Sequence, residues 1–132
     1  MGKIIKVKAA TIKPSQDFLK EDTLAYITKN YEKGDFDKLP PTPIVRRFSD
    51  TEYIAIDGHN LLAFYAMKDM DCDVYVAENA NDGIVGNSEM ILKRNSDLLE
   101  KFENVIDVSE EIAKKGIYTI KDLCGAVIKR QD

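Results

Sequence analysis

The feature that most constrains the fold is a turn near the middle of the chain, where a strand-like run meets a long apolar run. Residues 53–56 are rich in strand-forming side chains, and residues 61–67 are apolar or aromatic throughout, as expected for a helix buried on most sides. Asp57–Asn60 is therefore predicted to be a turn between a strand and a buried helix. Because the start of a helix leaves backbone N–H groups without partners, this turn suits a phosphate or carboxylate ligand.

Each residue of the turn has a functional and a structural interpretation. Gly58 permits a tight turn and the close approach of a ligand. His59, the only histidine, could contact an anion through its imidazole or the neighbouring N–H groups, or could cap its own helix beside Asp57. Asp57 could hold Mg²⁺ or orient His59, or could simply end the strand. Asn60 could donate to a ligand or cap the helix, which is the more frequent role of asparagine.

The remaining strand signals predict a small mixed sheet. A strand is expected at residues 4–8, continuing loosely through Thr11-Ile12. Residues 44–48 and 52–56 are predicted to form a β-hairpin, and residues 73–77 the next strand. The chain is therefore expected to have an α/β (mixed α+β) fold.

Helices are predicted before the hairpin and after the last strand. One with a single apolar stripe is expected to start near Glu21 and to end before Gly34. In the last third, Asn87-Ser88-Glu89 is expected to cap a helix, and residues 109–115 are expected to form a second, short helix that stops at Gly116. The first of these two helices carries the apolar residues Met90, Ile91, Leu98, Leu99 and Phe102.

The C-terminal residues predict a final helix. Thr119–Asp122 approximates a capping box, and the apolar residues of the helix would be Leu123, Ala126 and Val127. Neither a linker nor a repeat interrupts the sequence. Residues 1–132 are therefore expected to form one domain, with a core at about residues 4–78 and a helical cap at about residues 87–130.

Composition excludes several classes of function. A length of 132 residues suits one domain. The apolar runs are shorter than about 20 residues, and the N-terminus lacks a signal-peptide pattern, so no membrane segment and a cytoplasmic location are expected. Two distant cysteines, Cys72 and Cys124, and a single histidine predict no zinc, haem or iron–sulfur site. Between Asp50 and Glu89, nine acidic residues stand against Lys68 alone, so nucleic acid binding is not expected.

A phosphate at the turn would need a positive partner, because the acidic middle of the chain repels anions. Mg²⁺ or an arginine could supply that charge. Arg46 and Arg47 are neighbours on a predicted strand, so their side chains point to opposite faces of the sheet. One of them could face the ligand, or both could be solvated.

The order of elements, together with several short motifs, resembles the ParB/sulfiredoxin superfamily. The similarity covers about residues 4–78 and rests on Ile12–Gln16, a helix, Pro41–Val45, a hairpin, and Ile56–His59 leading into an alanine-containing helix. Residues 115–123 are similar to small stand-alone ParB-like proteins. The resemblance implies a ParB/sulfiredoxin-like fold with a helical extension and a nucleotide-phosphate pocket at Asp57–Asn60. It also implies that Ser15 and Gln16 line this pocket and that the ligand is ADP, ATP or CTP with Mg²⁺.

Two activities of that superfamily do not fit the residues present. Sulfiredoxins need a nucleophilic cysteine at the position of Gly58, so sulfiredoxin chemistry has no nucleophile here. ParB partition proteins use an arginine-rich turn and a following DNA-binding domain. This chain has His59-Asn60 at the turn and a short tail that is not basic. A DNA-binding partition protein is therefore the least favoured alternative.

Free-serine kinases of the superfamily share the Asp-Gly-His turn and Lys13-Pro14. They need a carboxylate base shortly after the proline, where this chain has Gln16, which cannot act as a base. Asp17 is one residue away, and Glu21 or Asp22 lies within about the next turn. These carboxylates are the candidate bases, and Asn60 replaces a basic or imidazole-bearing residue, so phosphoryl transfer would be impaired.

The leading hypothesis is a small-molecule binding domain for a nucleotide or another phosphate- or carboxylate-bearing ligand, with residual kinase or NTPase activity. Gly58–Asn60 would supply N–H donors, Asp57 a metal or histidine contact, and Arg46 or Arg47 a positive charge. A small-molecule kinase that uses Asp17, Glu21 or Asp22 is one rival. Another is a protein-interaction module without a nucleotide site, whose C-terminal helices bind a partner or form a homodimer through an apolar stripe along residues 88–102.

Overall fold

A four-stranded mixed sheet forms the centre of the computed structural model, which describes residues 3–79, 89–125 and 128–129. In chain order the elements are β1 (Lys3–Lys8), β2 (Leu19–Lys20), α1 (Glu21–Lys33), β3 (Ile44–Arg47), β4 (Tyr53–Asp57), α2 (His59–Met67), β5 (Asp71–Ala77), α3 (Glu89–Ala113), α4 (Ile120–Cys124) and β6 (Ile128–Lys129). The sheet order is β1-β5-β3-β4. β3 and β5 are parallel, and the other neighbours are antiparallel. The predicted α/β class is confirmed.

The segment after β1 differs from the prediction. Ala9–Thr11 form a 3₁₀ turn, so the loose continuation of the strand through Thr11-Ile12 is wrong. The turn forms because Ala9 donates to the Met70 carbonyl and both alanines of the turn are buried. The chain then reaches the outer edge of β4, where Lys13 exchanges backbone hydrogen bonds with Tyr53 and Ala55 at 2.9 and 2.8 Å.

One face of the sheet is covered by α1, α2 and α4. The predicted helix α1 is confirmed, and it ends at Gly34, whose φ of 76° is left-handed. The apolar run predicted to be a buried helix forms α2, with Leu61–Phe64 buried. The apolar core on this face also contains Leu24 and Ile27 of α1, Val45, Ala55, Val74 and Val76 of the sheet, and Ile120 and Leu123 of α4.

The opposite face of the sheet is covered by α3. Ile44, Ile54 and Ile56 pack there against Phe102 and Val105. The prediction of two separate helices in this region is wrong, because α3 is one helix of 25 residues. The buried positions 102, 105, 109 and 112 follow one helical stripe through the proposed break, and neither glycine nor proline interrupts it.

The C-terminal capping box is confirmed. The Thr119 side chain accepts from the Asp122 N–H, and the Asp122 carboxylate accepts from the Thr119 N–H. α4 then ends before Gly125, and Ala126 and Val127, predicted to continue it, lie outside the described residues. Asn87 and Ser88, predicted to cap the preceding helix, also lie outside them. β2 pairs in parallel with β6, a contact that was not predicted.

The sequence predicts no membrane-spanning segment, and the structure allows this to be checked for helices. Among the described residues, every helix is either too short or too polar to cross a lipid bilayer.

Candidate functional site

The predicted turn is the connection between β4 and α2. β4 ends at Asp57, Gly58 adopts a left-handed conformation with φ of 92°, and α2 begins at His59. The first hydrogen bond inside α2 runs from the Leu62 N–H to the Gly58 carbonyl at 3.0 Å. The three preceding N–H groups therefore have no partner within the helix, as an anion site requires.

Gly58 is explained by packing inside the chain. A Cβ atom at this position would lie 2.7 Å from the Cβ of Pro43 and 2.8 Å from its Cα. Pro43 is held in place because its carbonyl accepts from the Tyr75 N–H at 2.9 Å. Both the positive φ and the contact with Pro43 require glycine, independently of any ligand.

His59 fastens a separate segment of the chain to the turn. Its side chain is buried, and Nε2 accepts a hydrogen bond from the Ser15 N–H at 2.9 Å. The Ser15 hydroxyl in turn donates to the Ala55 carbonyl. The pKa of His59 is lowered to about 4, mainly by burial; Asp57 opposes the shift, and the positive charge of Lys101 makes a smaller contribution to it. The imidazole is therefore neutral near pH 7, with its proton on Nδ1, and it could contact an anion as a hydrogen-bond donor but not as a positive charge.

The segment Ser15–Phe18 lies beside the turn, as the resemblance implied. The backbone of Ser15 contacts the imidazole of His59, and Gln16 lines two cavities next to it. The Gln16 amide donates to the Phe18 carbonyl at 2.8 Å, which folds the segment back on itself. Ser15 and Gln16 thus belong to the neighbourhood of the turn.

The polar side chains of the turn also serve neighbouring backbone groups. Asn60 Oδ1 accepts from the N–H of Lys20, the residue that precedes α1, at 2.9 Å. Asn60 therefore joins two helix starts instead of capping its own. Asp57 Oδ1 accepts from the Gly58 N–H at 2.9 Å. No group of three or more potential metal ligands occurs within the described ranges, so Mg²⁺ at Asp57 would depend on ligand oxygens for the rest of its coordination.

The two arginines point to opposite faces, as predicted, but away from the turn. The Arg46 guanidinium lies 4.3 Å from the Phe102 ring centroid and donates to the Phe102 carbonyl. Arg47 stacks on Tyr53 and lies 3.9 Å from a carboxylate oxygen of Glu78. Neither side chain is among the residues that line the two cavities beside the turn, and neither is fully solvated. Arg46 therefore holds α3 on the sheet.

The positive charges beside the turn come from two lysines that sequence reasoning missed. A cavity of about 300 Å³, which we call the turn cavity, is lined by the first turn of α2 together with Lys20, Thr23 and Lys101. Lys20 precedes α1, and Lys101 projects from α3 beside the buried Phe102. The only sequence signal for Lys101 was its position next to the apolar stripe of a predicted helix.

A second cavity of about 350 Å³, the α3 cavity, adjoins the first. Gln16, His59 and Lys101 line both. The far wall of the α3 cavity is the helix itself, including Asn104 and Val108.

The candidate bases lie outside the turn cavity. Asp17 forms an ion pair with Lys115, with a distance of 2.6 Å between Oδ2 and Nζ. Glu21 and Asp22 are exposed in the first turn of α1, and neither is among the described residues that line the turn cavity. Asp57 is the one candidate catalytic carboxylate in that lining.

Comparison with known proteins gave no match, whether with protein-family models, with curated proteins or with solved structures. The relationship to the ParB/sulfiredoxin superfamily therefore stays a prediction from sequence motifs.

Proposed function

We propose that the chain binds a small anionic ligand, a nucleotide or another phosphate- or carboxylate-bearing molecule, in the turn cavity. The observation that supports this proposal is the lining of that cavity by the N-terminus of α2, Lys20 and Lys101. Three elements distant in sequence thus contribute residues with positive or partially positive groups to the lining of a single cavity.

The balance of charge favours an anion. Lys20 and Lys101 stand against the single carboxylate of Asp57, and His59 is neutral because its pKa is about 4. A net charge of about +1, added to the partial charge at the helix N-terminus, attracts a phosphate or carboxylate. Mg²⁺ bridging Asp57 and a ligand phosphate is compatible with this arrangement, since Mg²⁺ commonly uses one carboxylate and substrate oxygens.

Binding, rather than turnover, is the proposed activity. Of the carboxylates considered as kinase bases, Asp17 is paired with Lys115, and Glu21 and Asp22 do not line the turn cavity among the described residues. A kinase or NTPase function would need one of them, or Asp57, to reach the acceptor hydroxyl or water in a ligand-bound state.

The interaction-module alternative gains little from the described side chains. Phe102, the one residue of the predicted apolar stripe whose side chain is described, is 9% exposed and lies beneath Arg46. Met90, Ile91, Leu98 and Leu99 lie where side chains are not described. This alternative stays a prediction.

A thermal-shift screen with ADP, ATP, CTP and inorganic phosphate, each with and without Mg²⁺, tests the proposal. A ligand at about 100 times its dissociation constant stabilises the fold by about 2.7 kcal/mol, a shift of several degrees in Tm. We expect the shift in the wild type and in the Lys114→Ala control, which removes an exposed lysine just past the end of α3. In Lys101→Ala we expect it to be reduced, because a charge-assisted contact is lost.

Two outcomes would contradict the proposal. If none of the compounds raises the Tm of the wild type, the proposed anion site is wrong. An equal shift in the wild type, Lys101→Ala and Lys20→Ala would move binding to another part of the surface. His59→Ala is unsuitable here, because losing the bond to Ser15 would change stability on its own.

A further inference from the structure

A third cavity continues the first two along the Ser15–Phe18 segment. This groove, of about 490 Å³, lies between that segment and the C-terminal half of α3, and we call it the α3 groove. It shares Ser15, Gln16 and Val108 with the α3 cavity. The three cavities therefore follow one another along one side of α3.

The character of the lining changes along this path. The turn cavity at one end contains Lys20 and Lys101. The α3 groove at the other end has apolar side chains on both walls, Phe18 on the segment and Val108 and Ile112 on the helix. Its lining also contains four charged residues, Asp17, Asp107, Glu111 and Lys115. Val108 is 39% exposed although it is apolar and lies between two buried turns of α3. The path thus runs from an end with a net positive charge to an end that combines apolar side chains with a net negative charge.

The helix also fixes the length of the path. Lys101 and Ile112 are eleven residues apart on α3, which corresponds to about 16 Å at 1.5 Å per residue. Near the far end, Lys115, two residues past the end of α3, forms an ion pair with Asp17 of the segment. A molecule that spans the path from head to tail is therefore limited to an extended length of about 16 Å.

From this gradient we infer that the ligand is amphipathic, with a phosphate or carboxylate head at Lys20 and Lys101 and an apolar body in the α3 groove. The inference rests on the proposed function and narrows it. Charge complementarity orients the head, and apolar burial against Phe18 and Val108 supplies the additional affinity. A nucleotide, whose body is polar, would match the head site but not the groove.

Titration of the protein with inorganic phosphate, hexyl phosphate and AMP, followed by isothermal calorimetry and ¹⁵N NMR, tests the inference. We expect hexyl phosphate to bind at least tenfold more tightly than inorganic phosphate, an increase that burial of about two methylene groups supplies. The amide signals of His59–Leu61 should shift with both compounds, and the methyl signals of Val108 with hexyl phosphate alone.

A blocking variant provides the second measurement. In Val108→Trp, the larger side chain fills the groove from an exposed position. We expect this substitution to weaken the binding of hexyl phosphate at least tenfold and to leave the affinity for inorganic phosphate unchanged. Glu110→Trp, on an exposed position of the same helix outside the groove lining, is the matched control and should leave both affinities unchanged.

The outcomes separate the two proposals. If none of the compounds binds the wild type, the anion site fails and the inference fails with it. If inorganic phosphate binds and hexyl phosphate binds no better, the anion site stands and the apolar groove is not used. Tighter binding of AMP than of hexyl phosphate, or an unchanged hexyl phosphate affinity in Val108→Trp, would likewise overturn the inference.

Discussion

The turn at the start of α2 and the face of α3 opposite it contribute to the same site in different ways. At the turn, Gly58 is required by Pro43, His59 holds Ser15, and Asn60 holds the backbone of Lys20. On α3, Lys101 and Val108 are exposed to the cavities. The residues that stand out in the sequence build the site, and ordinary residues of a distant helix supply its charge and its apolar surface.

This contrast predicts opposite consequences for substitutions in the two regions. Changes at the turn should reduce the free energy of unfolding, whereas changes on α3 should alter binding at nearly constant stability. A turn substitution without effect on stability, or an α3 substitution that unfolds the protein, would break the comparison.

The largest effect is expected for Gly58→Ala. The new Cβ would meet Pro43 at 2.7 Å, and alanine would be strained at a φ of 92°. Together these terms should lower the free energy of unfolding by at least about 3 kcal/mol in urea denaturation. Gly116→Ala is the control, since Gly116 has a φ of 88° but no heavy atom within 4 Å of the position that a Cβ would take, so it should cost only about 1–2 kcal/mol.

Equal costs for Gly58→Ala and Gly116→Ala would mean that Pro43 yields and that packing does not explain Gly58. In that case, the remaining explanation for Gly58 would be that glycine permits the close approach of a ligand.

The next effect is a pH dependence caused by His59. Its pKa is about 4 in the folded state and about 6.5 in the unfolded chain. The unfolded state therefore binds more protons between these values, so stability is fully present above pH 6.5 and falls as the pH decreases towards 4. The two pKa values bound this loss at about 3 kcal/mol.

His59→Gln isolates the contribution, because glutamine can accept from the Ser15 N–H but does not titrate in this range. We expect urea unfolding between pH 7 and 4.5 to show a steeper loss of stability in the wild type than in His59→Gln. Parallel pH profiles would indicate that the imidazole is solvated when charged and does not hold the Ser15 segment.

A smaller effect is expected for Asn60→Ala. The substitution removes the acceptor of the part-buried Lys20 N–H and should cost about 1–2 kcal/mol. Asn60→Asp keeps the acceptor and should restore most of the stability. Its negative charge in the turn cavity should nevertheless weaken the binding of phosphate, so stability and binding would separate. Restored stability with unchanged phosphate binding would contradict an anion site at this turn.

Much of the local structure could be predicted from the sequence, because its causes are local. The apolar run of α2, the glycine that ends α1 and the capping box before α4 each lie within a few residues of the structure that they determine. The predicted break before Ser109 is wrong because the helical pattern of buried positions continues across it. In the structure, Ser109 continues the buried stripe of α3.

The site was less predictable, because it depends on contacts between distant segments. The turn itself follows from local pattern, but the proximity of Ser15 and Gln16 was implied only by the family resemblance. Lys101 lies near the turn because α3 crosses the sheet as one helix. Arg46 lies away from the turn because its guanidinium stacks on Phe102 of the same helix and donates to the Phe102 carbonyl. From the residue types we could predict that a bound anion needs a positively charged partner. They did not indicate which helix or strand carries that partner.

The smallest predicted effect directly tests the proximity of α3 to the turn. Lys101→Ala should change the free energy of unfolding by no more than about 0.5 kcal/mol, as is usual for an exposed position. It should also raise the pKa of His59, because the positive charge of Lys101 lowers it in the wild type. NMR titration of the imidazole Cε1–H signal measures this shift, and Lys114→Ala, which changes a lysine just past the end of α3 and outside the turn cavity, should leave the pKa unchanged. A His59 pKa that is the same in wild type and Lys101→Ala would place Lys101 too far from the turn to neutralise a bound anion, and the cationic end of the site would then rest on Lys20 alone.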